Sequence, residues 1–101
     1  MRIQHKYKAV QTIFDGIKFP SKKEANYYLQ LKALVNSGLV VFFLRQVPFH
    51  LPGEIIYRVD FQEFWSNGDV RFIDVKGMDT PMSKLKRKQV ENLYPVKIEL
   101  V

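Results

Sequence analysis

The chain contains no cysteine. Disulfides and thiolate metal sites are therefore excluded, and the composition suits a reducing compartment. No apolar run approaches the ~20 residues that a helix needs to cross a bilayer, so no membrane association is expected. The segment Met1-Arg2-Ile3-Gln4-His5-Lys6 is basic but lacks the apolar stretch of a signal peptide. Histidine is scarce: His5 and His50 fall in unrelated segments and read as surface residues. There is no Gly-rich phosphate loop followed by Lys and Ser/Thr. Ser21, Ser37, Ser66 and Ser83 have no partner pattern that suggests acyl transfer. Internal repeats, linkers and low-complexity stretches are absent too.

What is present is a single domain, residues 1–101, with 47% hydrophobic residues that include eight Phe and five Tyr. That composition belongs to a globular protein rather than a disordered one. Sixteen basic residues against ten acidic give a net charge of +6. A polyanion is the natural partner of such a chain, and nucleic acid is the commonest polyanion.

Residues 1–19 carry little pattern. Tyr7 to Ile13 could be extended, and Phe14-Asp15-Gly16-Ile17 has turn chemistry. Ser21 followed by Glu24 has the spacing of a capping box, so a helix is predicted from there to about Ser37, ended by Gly38. Its stripe reads Glu24, Tyr28, Leu31 and Val35, widened by Ala25, Leu29 and Leu34. Glu24 thus falls on the packed side, although the plainer reading is a capping carboxylate at the solvent edge. Leu39 to Leu51 is strand-like, with Gln46 assigned to the face of Val40, Phe42 and Leu44, and with Pro48 marking an edge or an irregularity. Ile55 to Trp65 and Val70 to Lys76 follow as strands joined through Ser66-Asn67-Gly68-Asp69. A basic helix from Ser83 to Asn92 is expected to pack through Leu85, Val90 and Leu93, and Val96 to Leu100 is the last strand. The order is helix, strand, strand, strand, helix, strand.

The chemistry concentrates in Asp74-Val75-Lys76. Alternation along a strand points Asp74 and Lys76 the same way, about 7 Å apart. Hairpin register decides whether Asp60 joins them. A two-residue Asn-Gly turn would put Asp60 and Asp74 on opposite faces. A three-residue loop, with Trp65 opposite Asp69 and Gly68 left-handed, sets Asp60 across from Asp74 and Arg58 across from Lys76. A shared cation requires convergence, so the bulged loop is predicted.

Three carboxylates and a lysine suit a hard cation and a water nucleophile. Asp60 and Asp74 would be the main ligands of Mg²⁺, for which Mn²⁺ could substitute. The Val75 carbonyl is a candidate backbone ligand, and Glu24 would act directly or through water. Lys76 would orient the water or stabilise a phosphorane-like transition state, and Gln46 could hydrogen-bond the lysine, the water or a phosphate oxygen. Lys22, Lys23, Arg58, Lys84, Lys86, Arg87 and Lys88 are the candidate nucleic-acid contacts, positioning a backbone without reading its sequence. Tyr27, Tyr57, Trp65 and Tyr94 could stack on bases, though packing is the plainer role for each.

Phe19-Pro20-Ser21-Lys22-Lys23-Glu24-Ala25, Gln46-Val47-Pro48-Phe49, Tyr57-Arg58-Val59-Asp60-Phe61, Asp74-Val75-Lys76-Gly77 and Lys84-Leu85-Lys86-Arg87-Lys88 stand in that order over most of the chain. Together they resemble the PD-(D/E)XK, restriction-endonuclease-like superfamily, and more closely a family of small phage and prophage proteins often described as endonucleases. The resemblance implies an α/β fold with a restriction-endonuclease-like core, a mixed central sheet flanked by helices. It also implies Mg²⁺-dependent DNA cleavage in the cytoplasm of a bacterial host. Its relatives include junction resolvases and exonuclease modules, so branched DNA is among the expected substrates. Asp74 stands where a longer Glu is often found. A specific cutter of this size would need to form a homodimer or to join a phage replication, recombination or packaging protein. The alternative expectation is a nucleic-acid-binding or phage assembly protein on the same scaffold, without turnover.

Overall fold

A computed structural model describes residues 12–101. His5 and most of the Tyr7–Ile13 stretch lie outside the described residues. The first elements are β1 (Thr12–Phe14) and β2 (Ile17–Phe19), a small hairpin turned by Asp15 and Gly16, both at positive φ. Asp-Gly is the sequence that such a two-residue turn favours, because both central positions need φ above zero.

Helix α1 (Lys22–Ser37) starts where the sequence predicts, with Ser21 Oγ accepting from the Glu24 amide at 3.1 Å. It ends at Gly38, whose φ of 84° supplies the left-handed cap that a side chain would strain. Glu24, Ala25, Tyr28 and Leu31 are buried. Leu29 departs from the expected face and is 40% exposed, whereas Leu34 and Val35 pack against the core from its edge.

The main sheet is built from β3 (Val40–Leu51), β4 (Ile55–Trp65), β5 (Val70–Asp74) and β6 (Ile98–Leu100), in that spatial order. The first two pairings are antiparallel and the last is parallel, so the sheet is mixed. Helix α2 (Pro81–Leu93) forms the crossover between the parallel strands, as such a connection requires. Thr80 caps it, accepting from the Ser83 amide at 3.1 Å. The succession α1, β3, β4, β5, α2, β6 is the predicted one, with the β1–β2 hairpin placed ahead of it. Strands β5 and β6 are shorter than expected, but the ladder between them continues through Val101 to the Lys76 amide.

Two apolar clusters lie on opposite faces of β5. Ile73 belongs to the cluster under α1, with Phe19, Tyr28, Leu31 and Phe61, whereas the adjacent Phe72 packs against the cluster that holds Val90 of α2 and Ile98. Neighbouring strand residues face opposite ways, so the two helices flank the sheet. Leu85 and Leu93, expected as contacts of α2, are more than half exposed. The buried stripe instead runs through Arg87 and Val90 towards Tyr94, a helical spacing that leaves both leucines outside it.

Strand β4 passes between the clusters. Tyr57 and Val59 belong to the α2 side and Phe61 to the α1 side, although simple alternation would keep all three together. The ribbon therefore turns at Asp60. Across from it, Gln46 on β3 has a φ of 52°, and the β3–β4 ladder skips from Arg45↔Phe61 to Val47↔Val59. A second irregularity falls between Val40 and Phe42. These two breaks undo the expected common face of Val40, Phe42, Leu44 and Gln46. A non-glycine residue at positive φ is uncommon outside turns, and such strain tends to collect at functional sites.

Candidate functional site

The β4–β5 hairpin adopts the bulged register. The Trp65 amide donates to the Asp69 carbonyl at 2.8 Å, Gly68 has a φ of 96°, and Phe61 pairs with Ile73. One step further, Asp60 faces Asp74. The regular ladder stops at this point and the carboxylates take its place. The Asp60 amide donates to Asp74 Oδ1 at 3.0 Å, and the Val75 amide donates to Asp60 Oδ2 at 2.9 Å. Gln46 Nε2 donates to Asp60 Oδ1 at 3.1 Å, and the Tyr57 hydroxyl donates to Asp74 Oδ2. Asp60 thus sits where the ladders to both neighbouring strands are interrupted. Because β5 ends at Asp74, Arg58 and Lys76 are not paired, and the unfavourable basic pair implied by the register does not form.

Glu24 approaches from α1. It is 3% exposed, so it is no solvent-edge capping carboxylate. Its Oε2 has no hydrogen-bond partner among the described residues and lies 3.7 Å from Arg45 Nη2. Burial raises the Glu24 pKa to about 7, with Asp60 and Asp74 adding to the rise and Arg45 and Lys76 opposing it. Burial also raises the Asp60 carboxyl, reinforced by Asp74, while the Val75 amide, Gln46 and Lys76 pull the other way. Glu24 is therefore within electrostatic reach of the other three members of the predicted quartet, Asp60, Asp74 and Lys76.

The arrangement is looser than a chelate. Among the described residues, no three His, Cys, Asp or Glu side chains stand close enough to hold an ion together. The donors nonetheless fit a hard cation. Asp60 and Asp74 offer opposed carboxylates whose oxygens each keep a further lone pair. The unpartnered Glu24 oxygen is buried against this negative pair. Mg²⁺ commonly takes only one or two carboxylates and keeps several waters, so Glu24 fits a water-mediated place better than a direct one. Val75 meets Asp60 through its amide.

The basic residues divide. Lys84 and Lys88 on α2 are exposed and Lys86 is half-buried. Arg87, expected in the same outward row, is turned inward, with Nη1 and Nη2 donating to the two oxygens of Asp79 at 2.7 and 2.6 Å. An arginine on the apolar stripe of a helix must satisfy its charge inside, and Asp79 does so. Lys22 and Arg58 are exposed. Lys23 Nζ donates to the Lys76 carbonyl at 2.8 Å, tying the start of α1 to the end of β5. A cleft of about 280 Å³ opens beside this junction, lined by Lys23, Tyr27, Gln30 and Val75. A larger one, about 390 Å³, lies between α1 and β3 and is lined by Tyr28, Lys32, Phe43 and Arg45 rather than by the carboxylates. The four candidate stacking aromatics are engaged inside the fold: Tyr27 and Trp65 bond Glu63, Tyr57 bonds Asp74, and Tyr94 bonds the His50 carbonyl.

Arg45 was not singled out from the sequence. Its signal was there: alternation puts it with Phe43 and Val47, a charge on the apolar side of a strand. Asp79 and the hydroxyl of Tyr57 gave no such signal, because their partners are distant in sequence.

A mixed α/β sheet flanked by two helices, with a buried carboxylate cluster where its ladders open, defines the class of protein. The chain belongs to the family described as "Protein of unknown function (DUF1064)", whose model matches residues 4–100. No curated protein and no solved structure matches it. Among the described residues, no helix is long and apolar enough to cross a membrane.

Proposed function

We propose that the chain is a divalent-metal-dependent nuclease with a restriction-endonuclease-like core, hydrolysing phosphodiester bonds in DNA as a phage or prophage enzyme would. The observation that carries this reading is Asp60 facing Asp74 where the strand ladders open, with a buried Glu24 oxygen near them that has no hydrogen-bond partner among the described residues. The order of helices and strands and the exposed lysines of α2 support it. Gathering these carboxylates does not help the fold, since like charge adds to the cost of ionising Glu24 and Asp60. A cation and an anionic substrate give that arrangement a purpose.

Asp60 and Asp74 would hold Mg²⁺, which when bound neutralises charge on a phosphate and lowers the pKa of a coordinated water. Glu24 Oε2, with its proton affinity near neutrality, is suited to take a proton from the attacking water. Lys76 would stabilise charge growing on the phosphate oxygens. Gln46 keeps Asp60 in place through its amide. Lys84 and Lys88 would steer the backbone on to the site without choosing a sequence. Branched or junction DNA is the form such a small cutter would recognise by shape.

The test is to incubate the wild type, Asp74→Ala and Lys76→Ala with linear, circular, single-stranded and four-way-junction DNA, with and without Mg²⁺. Cleavage by the wild type alone, and only with metal, is expected. Lys76→Ala should lower the rate by about 10²–10³-fold, the size of losing one charge-stabilising group, while still binding Mn²⁺. Equal cleavage by all three proteins would place the activity elsewhere.

A second reading has its own observation. Every oxygen of Asp60 and Asp74 already accepts a hydrogen bond from the chain, and Arg45 stands by Glu24 as a built-in cation. A site so provided for stands without metal, which suits a DNA-binding scaffold that does not turn over. DNA binding without any cleavage in the same assay would select it.

A further inference from the structure

We infer that Tyr57 is a positioning residue for Asp74, backed by the neighbouring Arg87–Asp79 pair. The inference rests on the reading of Asp74 as a metal ligand.

Tyr57 is 7% exposed, and its ring belongs to the cluster under α2. A phenylalanine would fill that space, so the hydroxyl has to be accounted for: a buried hydroxyl costs free energy unless it is bonded. It donates to Asp74 Oδ2. The Arg87 guanidinium is close enough to act on the Tyr57 hydroxyl electrostatically, and Arg87 is itself gripped by both oxygens of Asp79. The four groups close a ring through the backbone. Asp74 ends β5, Asp79 follows in the loop before α2, Arg87 lies on α2, and Tyr57 returns the chain of contacts to Asp74.

The direction of each bond follows from what each group can do. A guanidinium only donates, and a phenol has one proton to give. Asp74 as a carboxylate only accepts, so the Tyr57 hydroxyl gives it that one proton, and the positive charge of Arg87 nearby polarises the O–H towards it. The other oxygen of Asp74 is held by the Asp60 amide. The carboxylate plane is thus fixed from two sides, while each oxygen keeps a lone pair for a cation. The ring also gives the inward turn of Arg87 a role. The helix that presents Lys84 and Lys88 to a phosphate backbone is the helix that sets the orientation of Asp74.

The test compares Mn²⁺ affinity by titration calorimetry, kcat and KM on DNA, and thermal unfolding for the wild type, Tyr57→Phe, Arg87→Met, Arg87→Lys and Asp74→Ala. Tyr57→Phe should weaken Mn²⁺ binding by about 10-fold or more, the usual consequence of losing a group that orients a metal ligand. Its kcat should fall while KM for DNA stays put, because the lysines of α2 are untouched. Arg87→Met should act in the same direction and Arg87→Lys should recover part of the loss, a graded rescue that mere packing would not give. Asp79→Asn reads the same ring from its more exposed end, so the test survives if a core variant fails to fold. Wild-type Mn²⁺ affinity in Tyr57→Phe and Asp79→Asn, with Asp74→Ala losing it, would overturn the positioning role and leave the metal site standing. Absence of Mn²⁺ binding in the wild type would overturn both.

Discussion

Glu63 on β4 and Glu24 on α1 are both buried carboxylates on the α1 side of the sheet, and they have opposite fates. Glu63 is 0% exposed, and each of its oxygens has a donor: Tyr27 on one, Trp65 Nε1 at 2.9 Å on the other. Glu24 is 3% exposed, but among the described residues its Oε2 has Arg45 at 3.7 Å, beyond hydrogen-bonding distance, and no hydrogen-bond donor. The first is a finished internal contact. The second is a charge held ready beside two further carboxylates. Burial alone therefore does not single out Glu24; what sets it apart for the proposed function is an acceptor without a hydrogen bond in like-charged company.

The comparison can be broken most forcefully at Glu63. Glu63→Ala strands the Tyr27 hydroxyl and the Trp65 indole in the core, and should cost about 3–5 kcal/mol in urea unfolding. Losing less than 1 kcal/mol would show that Glu63 is not the structural member of the pair. Glu24→Gln should do the reverse. A carboxyl whose pKa is raised to about 7 in the fold, against 4.5 ordinarily, binds more protons folded than unfolded. Its contribution is complete below about pH 4.5 and is lost as pH climbs through about 7. Neutral glutamine removes that loss, so Glu24→Gln should be the more stable protein at pH 8, by up to about 3 kcal/mol, and the slope between pH 4.5 and 7 should flatten. Unfolding curves across that range check the sign, and a steeper slope in the variant would refute it. The smallest expected effect tests whether the charge of α2 serves the site. Lys84→Ala and Lys88→Ala should each weaken DNA binding on every sequence alike and reduce the salt slope by about 1. An unchanged slope in both would remove α2 from the interface.

Much of the scaffold was legible because it rests on local chemistry. Ser21, Glu24 and Gly38 mark both ends of α1 through capping, and Ile55–Trp65 alternates so regularly that its limits are readable. Parity arithmetic was enough to choose the bulged hairpin once Asp60 was required to meet Asp74. What local chemistry does not carry was missed or misplaced. Leu29, Leu85 and Leu93 are apolar yet exposed, since burial depends on which stripe of the helix meets the sheet. Arg87 sits within a basic run and looks outward-facing by composition, but its direction is set by Asp79 across a loop. The turn of the ribbon at Gln46 and Asp60 has no glycine to announce it.

By itself, then, the sequence determined the limits of α1, the succession of the main helices and strands along the chain and the identity of the acids, because capping, periodicity and turn chemistry act between residues a few positions apart. The tertiary structure alone decided that among the described residues Glu24 Oε2 lacks a donor while Glu63 has two, that Arg45 stands by the first, and that Tyr57 grips Asp74. Those outcomes depend on distances between segments that meet only after the sheet has assembled, and no spacing along the chain encodes them.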